Sequence, residues 1–237
     1  MFLLKVIFVV ISIIRLKVES IQPCKTDDQT CINNSANAAY AQIIDGVQSA
    51  GIERIDPMVI DTIDGDLSGL KFKLTGTIVQ GFKECVLKHV KLDLDNMSLT
   101  IDMTCPWMSM TGHYEMSGRL IVLEIRGEGD YSIKSGRYNI GLECQLKKVK
   151  GKDGKEHLNI KTFKPTLTAE EPVAFDFKNL FNGQKELADA VLMFANENWK
   201  EVADLLQGPV FNADFKKIIS NTNKYLKTVT FEDLFIQ

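Results

Sequence analysis

Apolar and polar residues alternate with a period of two through the middle of the chain. Leu70, Phe72, Leu74 and Ile78 share one side, with Lys71, Lys73, Thr75 and Thr77 on the other. Met97, Leu99, Ile101, Met103 and Cys105 repeat the pattern, as do Met108, Met110, Tyr114, Met116, Leu120 and Val122. After a parity switch at Leu123 the apolar side continues through Ile125, Tyr131 and Ile133, while Glu124, Arg126, Glu128 and Asp130 face away. Tyr138, Ile140, Leu142, Cys144 and Leu146 form another strand, and Lys152-Asp153-Gly154 marks a hairpin turn to Leu158 and Ile160. One dry and one wet face per strand predicts an antiparallel meander. Long, twisted strands of this kind tend to curl.

Two other segments follow helical spacing. Ala36, Ala39, Tyr40, Ile43, Ile44, Val47 and Ala50 predict an early helix that ends at Gly51. From Gln184 to Leu206, Leu187, Val191, Phe194, Val202 and Leu205 form one stripe beside a second of Leu192, Ala195, Trp199, Ala203 and Leu206. That apolar arc is wider than a surface helix needs, so the sheet is expected to wrap it. Gly208-Pro209 predicts a break or kink, after which Val210, Phe211, Phe215, Ile218, Ile219, Tyr225 and Leu226 resume helical spacing. No linker or repeat interrupts the chain. The expected fold class is α+β, a strongly curved antiparallel sheet around a long C-terminal helix, in one domain over residues 21–237.

Residues 1–20 read as a secretory signal peptide. Lys5 precedes the apolar run Val6 to Ile14, and Val18 and Ser20 supply small residues for cleavage after Ser20. Their removal takes away three basic residues and one acid, and leaves 25 basic against 30 acidic residues, a net charge of −5. That charge argues against nucleic acid and anionic membranes as partners. Export makes a short-loop disulfide between Cys24 and Cys31 reasonable, and it gives meaning to the glycosylation sequons at Asn33 and Asn96. The chain is expected in the extracellular space as a monomer.

Enzyme chemistry finds little support. The sequence has no GxxxxGK[ST] phosphate loop, GxSxG elbow, HExxH or paired CxxC. Its three histidines, His89, His113 and His157, are scattered and read as solvent-facing, and no metal or cofactor is expected. Asp64-Gly65-Asp66-Leu67-Ser68-Gly69 resembles half a calcium loop, but Thr75 stands where the bidentate glutamate belongs, so a polar turn is the better reading. Five of the eight methionines (Met97, Met103, Met108, Met110, Met116) fall on the predicted dry face. Methionine adapts to irregular shapes, which suits a flexible apolar ligand.

Several short motifs then fall into order. Pro23-Cys24 with Cys31, Gly51-Ile52 and Asp56-Pro57 resemble the start of the insect takeout and juvenile-hormone-binding protein family. Gly127-Glu128-Gly129-Asp130-Tyr131, Asn179-Leu180-Phe181-Asn182-Gly183, Asn196-Glu197-Asn198-Trp199 and Phe231-Glu232-Asp233-Leu234-Phe235 resemble its later segments. The resemblance covers the mature chain. It implies a secreted carrier with a tubular lipid-binding fold and a tunnel for a terpenoid hormone, fatty acid or other lipid. The hormone binders carry a disulfide to their C-terminal helices and a tyrosine near the stretch matching Gly141 to Val149. This chain has no cysteine after Cys144, and its nearest inward tyrosine is Tyr138, so the takeout branch is favoured.

The ligand is expected against Phe72, Leu74, Leu99, Met103, Met108, Met110, Tyr114, Met116 and Tyr138, with Leu187, Val191 and Phe194 as the helical wall. Tyr114 and Tyr138 are the candidates for orienting a polar group. The alternative is a secreted interaction protein that acts through its surface. For the remaining cysteines, an Asp95-Asn96 turn pairs Leu92 with Leu99 and Val90 with Ile101. Carried onward, that register sets Val86 opposite Cys105 and predicts that Cys85–Cys105 does not form, leaving Cys105–Cys144 as the pair whose faces agree.

Overall fold

The computed structural model describes residues 21–67 and 69–236, so the leader expected over residues 1–20 lies outside the described residues. The chain begins with β1 (Cys24–Lys25) and α1 (Gln29–Asp45). It continues with β2 (Met58–Leu67), β3 (Leu70–Gln80), β4 (Val86–Asp93), β5 (Ser98–Cys105) and β6 (Met108–Leu120). Then come β7 (Leu123–Ser135), β8 (Tyr138–Lys150), β9 (Glu156–Ala169) and β10 (Val173–Phe177). The last elements are α2 (Lys185–Glu197), α3 (Trp199–Leu226), α4 (Phe231–Leu234) and β11 (Phe235–Ile236).

The long strands pair antiparallel, but in two sheets rather than one meander. One has the order β10-β7-β6-β3-β2 and the other β4-β5-β8-β9. Their dry faces and α3 enclose one continuous core that runs from Cys24 to Ile219. Within α3, Val202, Val210, Phe211, Phe215, Ile218 and Tyr225 are all buried. The wide apolar arc over Gln184 to Leu206 points to that segment as the wrapped helix; α2 instead buries only Val191 and Ala195, and the helix that the sheets enclose is α3.

Where the structure departs from strict periodicity, a local backbone event is responsible. Gly76 sits at φ 56°, and the β3–β6 register shifts between Thr75 and Ile78. This bulge reverses the parity, so Thr77 and Val79 point inward and Ile78 is 43% exposed. Val122 lies in the β6–β7 turn and is exposed rather than inward. The first helix starts at Gln29, where Asp28 accepts the Cys31 amide, and it stops at Gly46 instead of Gly51, which closes a separate short turn. The helical break falls at Asn198, and α3 passes through Pro209. Burial on both sides of Pro209 offsets the one hydrogen bond that proline removes.

The cysteines supply a further correction. Cys24–Cys31 forms as expected. Cys85–Cys105 also forms, against the predicted register, and Cys144 is left as a buried free thiol. The pairs Leu92–Leu99 and Val90–Ile101 are as anticipated, but a bulge between Leu87 and His89 shifts the rest by one residue. Leu87 then pairs with Met103 and Val86 with Thr104, which brings Cys85 opposite Cys105.

His157 is the last correction, since it is 3% exposed where a solvent-facing residue was expected; His89 and His113 are exposed. The chain after α3 folds over the start of β9. The His157 ring Nδ1 lies 3.1 Å from the Leu226 carbonyl and 2.7 Å from that of Val229. Nε2 is 3.2 Å from both carboxylate oxygens of Asp153. Two carbonyls at Nδ1 require a proton there, so bonding Asp153 as well requires the imidazolium.

Candidate functional site

The order of residues along α3 sets the order of the internal spaces. Val202, Leu206 and Val210 border an end cavity of about 40 Å³. Ala203, Leu206, Val210, Phe211 and Asp214 border a middle cavity of about 70 Å³. Phe215, Ile218, Ile219, Thr222 and Tyr225 border the largest enclosed one, about 200 Å³. The end and middle cavities share Ile133, Phe175, Leu206 and Val210 as walls. An aromatic partition separates them from the large cavity. Phe211 and Phe215 stack with centroids 6.4 Å apart, and Tyr138, Phe82 and Phe163 pack on their edges.

The large cavity is lined mainly by apolar side chains, with Ser35, Tyr40, Thr222 and Tyr225 as its polar members. Leu99, Ile101 and Met103 come from β5, Leu142 and Leu146 from β8, and Ala36, Ala39 and Ile43 from α1. Leu234 and Phe235 reach it from the C-terminal segment, which a Thr230–Asp233 capping box and the His157 contacts hold in place. A hollow of about 640 Å³ among Asp64, Asp66, Lys71, Lys73, Glu115 and Arg126 is larger but open and charged. It contains part of the half calcium loop, whose Asp64, Gly65 and Asp66 belong to β2 rather than to a turn.

The residues anticipated at the ligand site are divided among these spaces. Phe72, Leu74, Met116 and Val191 line the end cavity, Met108, Met110 and Tyr138 the middle one, and Leu99 and Met103 the large one. Tyr114, Leu187 and Phe194 line none of the three. Leu187 is 49% exposed on the outside of α2, and the cavity is met by Val191 and Val202 of the first stripe together with Leu192, Ala195 and Leu206 of the second. Tyr114 packs edge-on against Phe177 and donates its hydroxyl to the Lys178 carbonyl at 2.7 Å, so that hydroxyl is already spent. The Tyr138 hydroxyl donates to Gln207 Oε1 at 2.9 Å; burial, reinforced by Asp204, pushes it up to about 12.

Sequence reasoning missed α1 and the second half of α3 as walls of the site. Both apolar stripes are visible in the sequence, but their convergence on β5 and β8 is a long-range fact. It also missed two buried polar atoms without partners, Asp214 Oδ1 and Tyr225 Oη. Burial raises the Tyr225 hydroxyl to about 12 and holds the Asp214 carboxyl well above the ordinary carboxylate range.

The recurring motifs close the ends of this interior. Asn179, Phe181 and Asn182 have positive φ, and their loop crosses β7 so closely that Leu180 bridges to Gly127. A Cβ on Gly127 would lie 3.0 Å from Leu180 Cα, and one on Gly129 would lie 2.5 Å from the Lys178 oxygen, so glycine is required at both. Asn196 bonds both backbone groups of Phe175 on the edge strand β10, at 2.8 and 3.0 Å. Asp56 Oδ2 accepts the Gly81 and Lys83 amides beside the partition.

Comparisons with known proteins agree with this architecture. The family model of the haemolymph juvenile hormone binding protein (JHBP) matches residues 3–236. The crystal structure of Takeout 1 from Epiphyas postvittana superposes with a TM-score of 0.85 at 31% identity, covering 92% of this chain and 100% of that one. The circadian clock-controlled protein daywake of Drosophila melanogaster is 26% identical over 223 residues, 90% of this chain and 85% of daywake. Its Drosophila yakuba counterpart is 25% identical over the same length.

Proposed function

The chain belongs to the haemolymph juvenile hormone binding protein family, and from that premise we propose that it is a secreted carrier of a small hydrophobic ligand held beside α3. The observation that carries this reading is the enclosed apolar cavity of about 200 Å³. A dry cavity of roughly 150 Å³ already accepts benzene, so this one admits a ring or a folded aliphatic segment. Terpenoid, fatty acyl and related lipids fit its walls. Affinity comes from burying apolar surface, at about 25 cal/mol per Å² before the cost of association, and no covalent step is involved. The protein needs no cofactor for this and acts as a monomer.

Export is part of the proposal. Cleavage after Ser20 leaves a chain that begins at Ile21, three residues before the first disulfide. Two disulfides support an oxidising compartment. Asn96 is exposed in the β4–β5 turn, where its Nδ2 donates to Asp93 Oδ2 at 2.8 Å, and the Asn33 side chain accepts the Val90 amide at 2.8 Å. The test is a titration of protein purified from culture medium with N-phenyl-1-naphthylamine, a dye that fluoresces in apolar surroundings. Saturable one-to-one binding displaced by long-chain lipids supports the carrier. Fluorescence that never saturates, or that no lipid displaces, counts against it.

A further inference from the structure

Asp214 lies where a folded interior least tolerates it. It is 1% exposed, on the side of α3 that borders the middle cavity, among Val79, Met110, Ile133, Val210 and Phe211. Its Oδ1 has no hydrogen-bond partner. Most polar neighbours are bonded within the protein. Tyr138 and Gln207 bond each other, Gln207 also donates to Asp204 Oδ1 at 3.1 Å, and Ser135 donates to the Met108 carbonyl at 3.5 Å; Ser109 also lines the cavity. Thr77 and Tyr131 satisfy each other at 2.8 Å, with the Tyr131 hydroxyl near enough to Asp214 to feel its charge. A carboxyl in such a place destabilises the fold and returns nothing to it.

We propose that Asp214 is the ligand-orienting group of this carrier, donating a hydrogen bond to an acceptor oxygen, such as a ketone, ester or ether, within an otherwise apolar ligand in the middle cavity. The proposal rests on the carrier reading and adds the ligand's chemical class. Burial holds the carboxyl well above the ordinary carboxylate range, which favours the neutral acid, a donor rather than a counter-ion for an amine. The end and middle cavities share walls, so an alkyl chain on one side of that oxygen has space toward Val191 and Phe72. On its other side the chain meets the Phe211–Phe215 partition.

The test uses three probes matched in length and shape: tridecane, tridecan-7-one and dihexylamine. Binding of each to the full secreted protein is read directly by isothermal titration calorimetry. The wild type should bind the ketone about tenfold more tightly than the alkane, the worth of one buried hydrogen bond. Asp214→Leu should bind both equally, and Asp214→Asn, whose amide still donates, should keep the preference. Asp214→Leu should also raise the thermal midpoint by roughly 5 °C, because the carboxyl it removes has no structural partner. A ketone preference that survives in Asp214→Leu, or a lowered midpoint there, overturns the assignment. So does loss of the preference in Asp214→Asn, or a wild type that prefers dihexylamine. A wild type that binds none of the three compounds, nor N-phenyl-1-naphthylamine, overturns the carrier reading itself, and this proposal with it.

Discussion

Filling the large cavity should make the protein more stable and less able to bind. Ala39 lies on α1, half-buried, and lines the 200 Å³ space. Ala39→Phe places a phenyl ring there, and one such ring occupies roughly 150 Å³ of cavity. At about 24 cal/mol per Å³ that volume is worth up to about 3.5 kcal/mol. Rotamer strain and imperfect fit take back about 1–3 kcal/mol, which leaves a net gain of about 0.5–2.5 kcal/mol. For a chain of this size the thermal midpoint should rise by roughly 1–10 °C. Most substitutions destabilise, so a gain is an unusual prediction. Differential scanning fluorimetry of ligand-stripped protein reads the midpoint, and titration with N-phenyl-1-naphthylamine reads binding, which should weaken at least tenfold. A lower midpoint with unchanged binding would refute the reasoning, since it would mean that the space is not available to a side chain or a ligand.

Other predictions follow from single contacts. Asp at Met110, a buried wall of the middle cavity, should abolish binding of tridecan-7-one and cost several kcal/mol, whereas Asp at exposed Thr111 should leave both nearly intact; equal effects would put the cavity on the wrong face. Replacing Cys85 and Cys105 by Ala opens a loop closed over 20 residues, which should cost about 3 kcal/mol and lower the urea midpoint by roughly 1–3 M; an unchanged midpoint would contradict the bridge. Burial alone would lower the His157 pKa, but hydrogen bonds to Asp153, Leu226 and Val229 outweigh it and leave it raised. A raised folded-state pKa gives stability that is complete below the ordinary value of 6.5 and is lost as pH climbs through the folded one. The Asp153 pKa is lowered, so its share is present above the ordinary carboxylate range and is lost only as pH falls through the lowered value. The urea-midpoint difference between wild type and His157→Gln should therefore be larger at pH 5.5 than at pH 9, and a difference that widens with pH would contradict the imidazolium bridge.

Sequence periodicity located the strands well wherever the ladder is unbroken. In β8, Tyr138 through Leu146 alternate without fault, and all five apolar residues are buried. It failed where one extra residue enters a strand. The bulge at Gly76 turned Ile78 outward, and the bulge between Leu87 and His89 brought Cys85 to Cys105. A bulge depends on the partner strand as much as on its own residues, so alternation alone does not show it. Of the break or kink expected at Gly208-Pro209, the break does not occur, because burial along α3 outweighs the lost bond. For the site, the strand residues Met103, Met108 and Met110 were legible because inward alternation places them. The contribution of α1 and the aromatic partition both arise from contacts between distant segments, to which a local pattern is blind; Asp214, four residues after Val210 and four before Ile218, was legible on the buried stripe and was passed over.

Whether the interior carries a ligand is tested most directly by native mass spectrometry of the protein as secreted from insect cells. The carrier account predicts a mass above that of the disulfide-bonded, glycosylated chain from Ile21 onward by a few hundred daltons, lost on denaturation. Identical native and denatured masses for the wild type, together with no uptake when N-phenyl-1-naphthylamine or tridecan-7-one is offered, would contradict it.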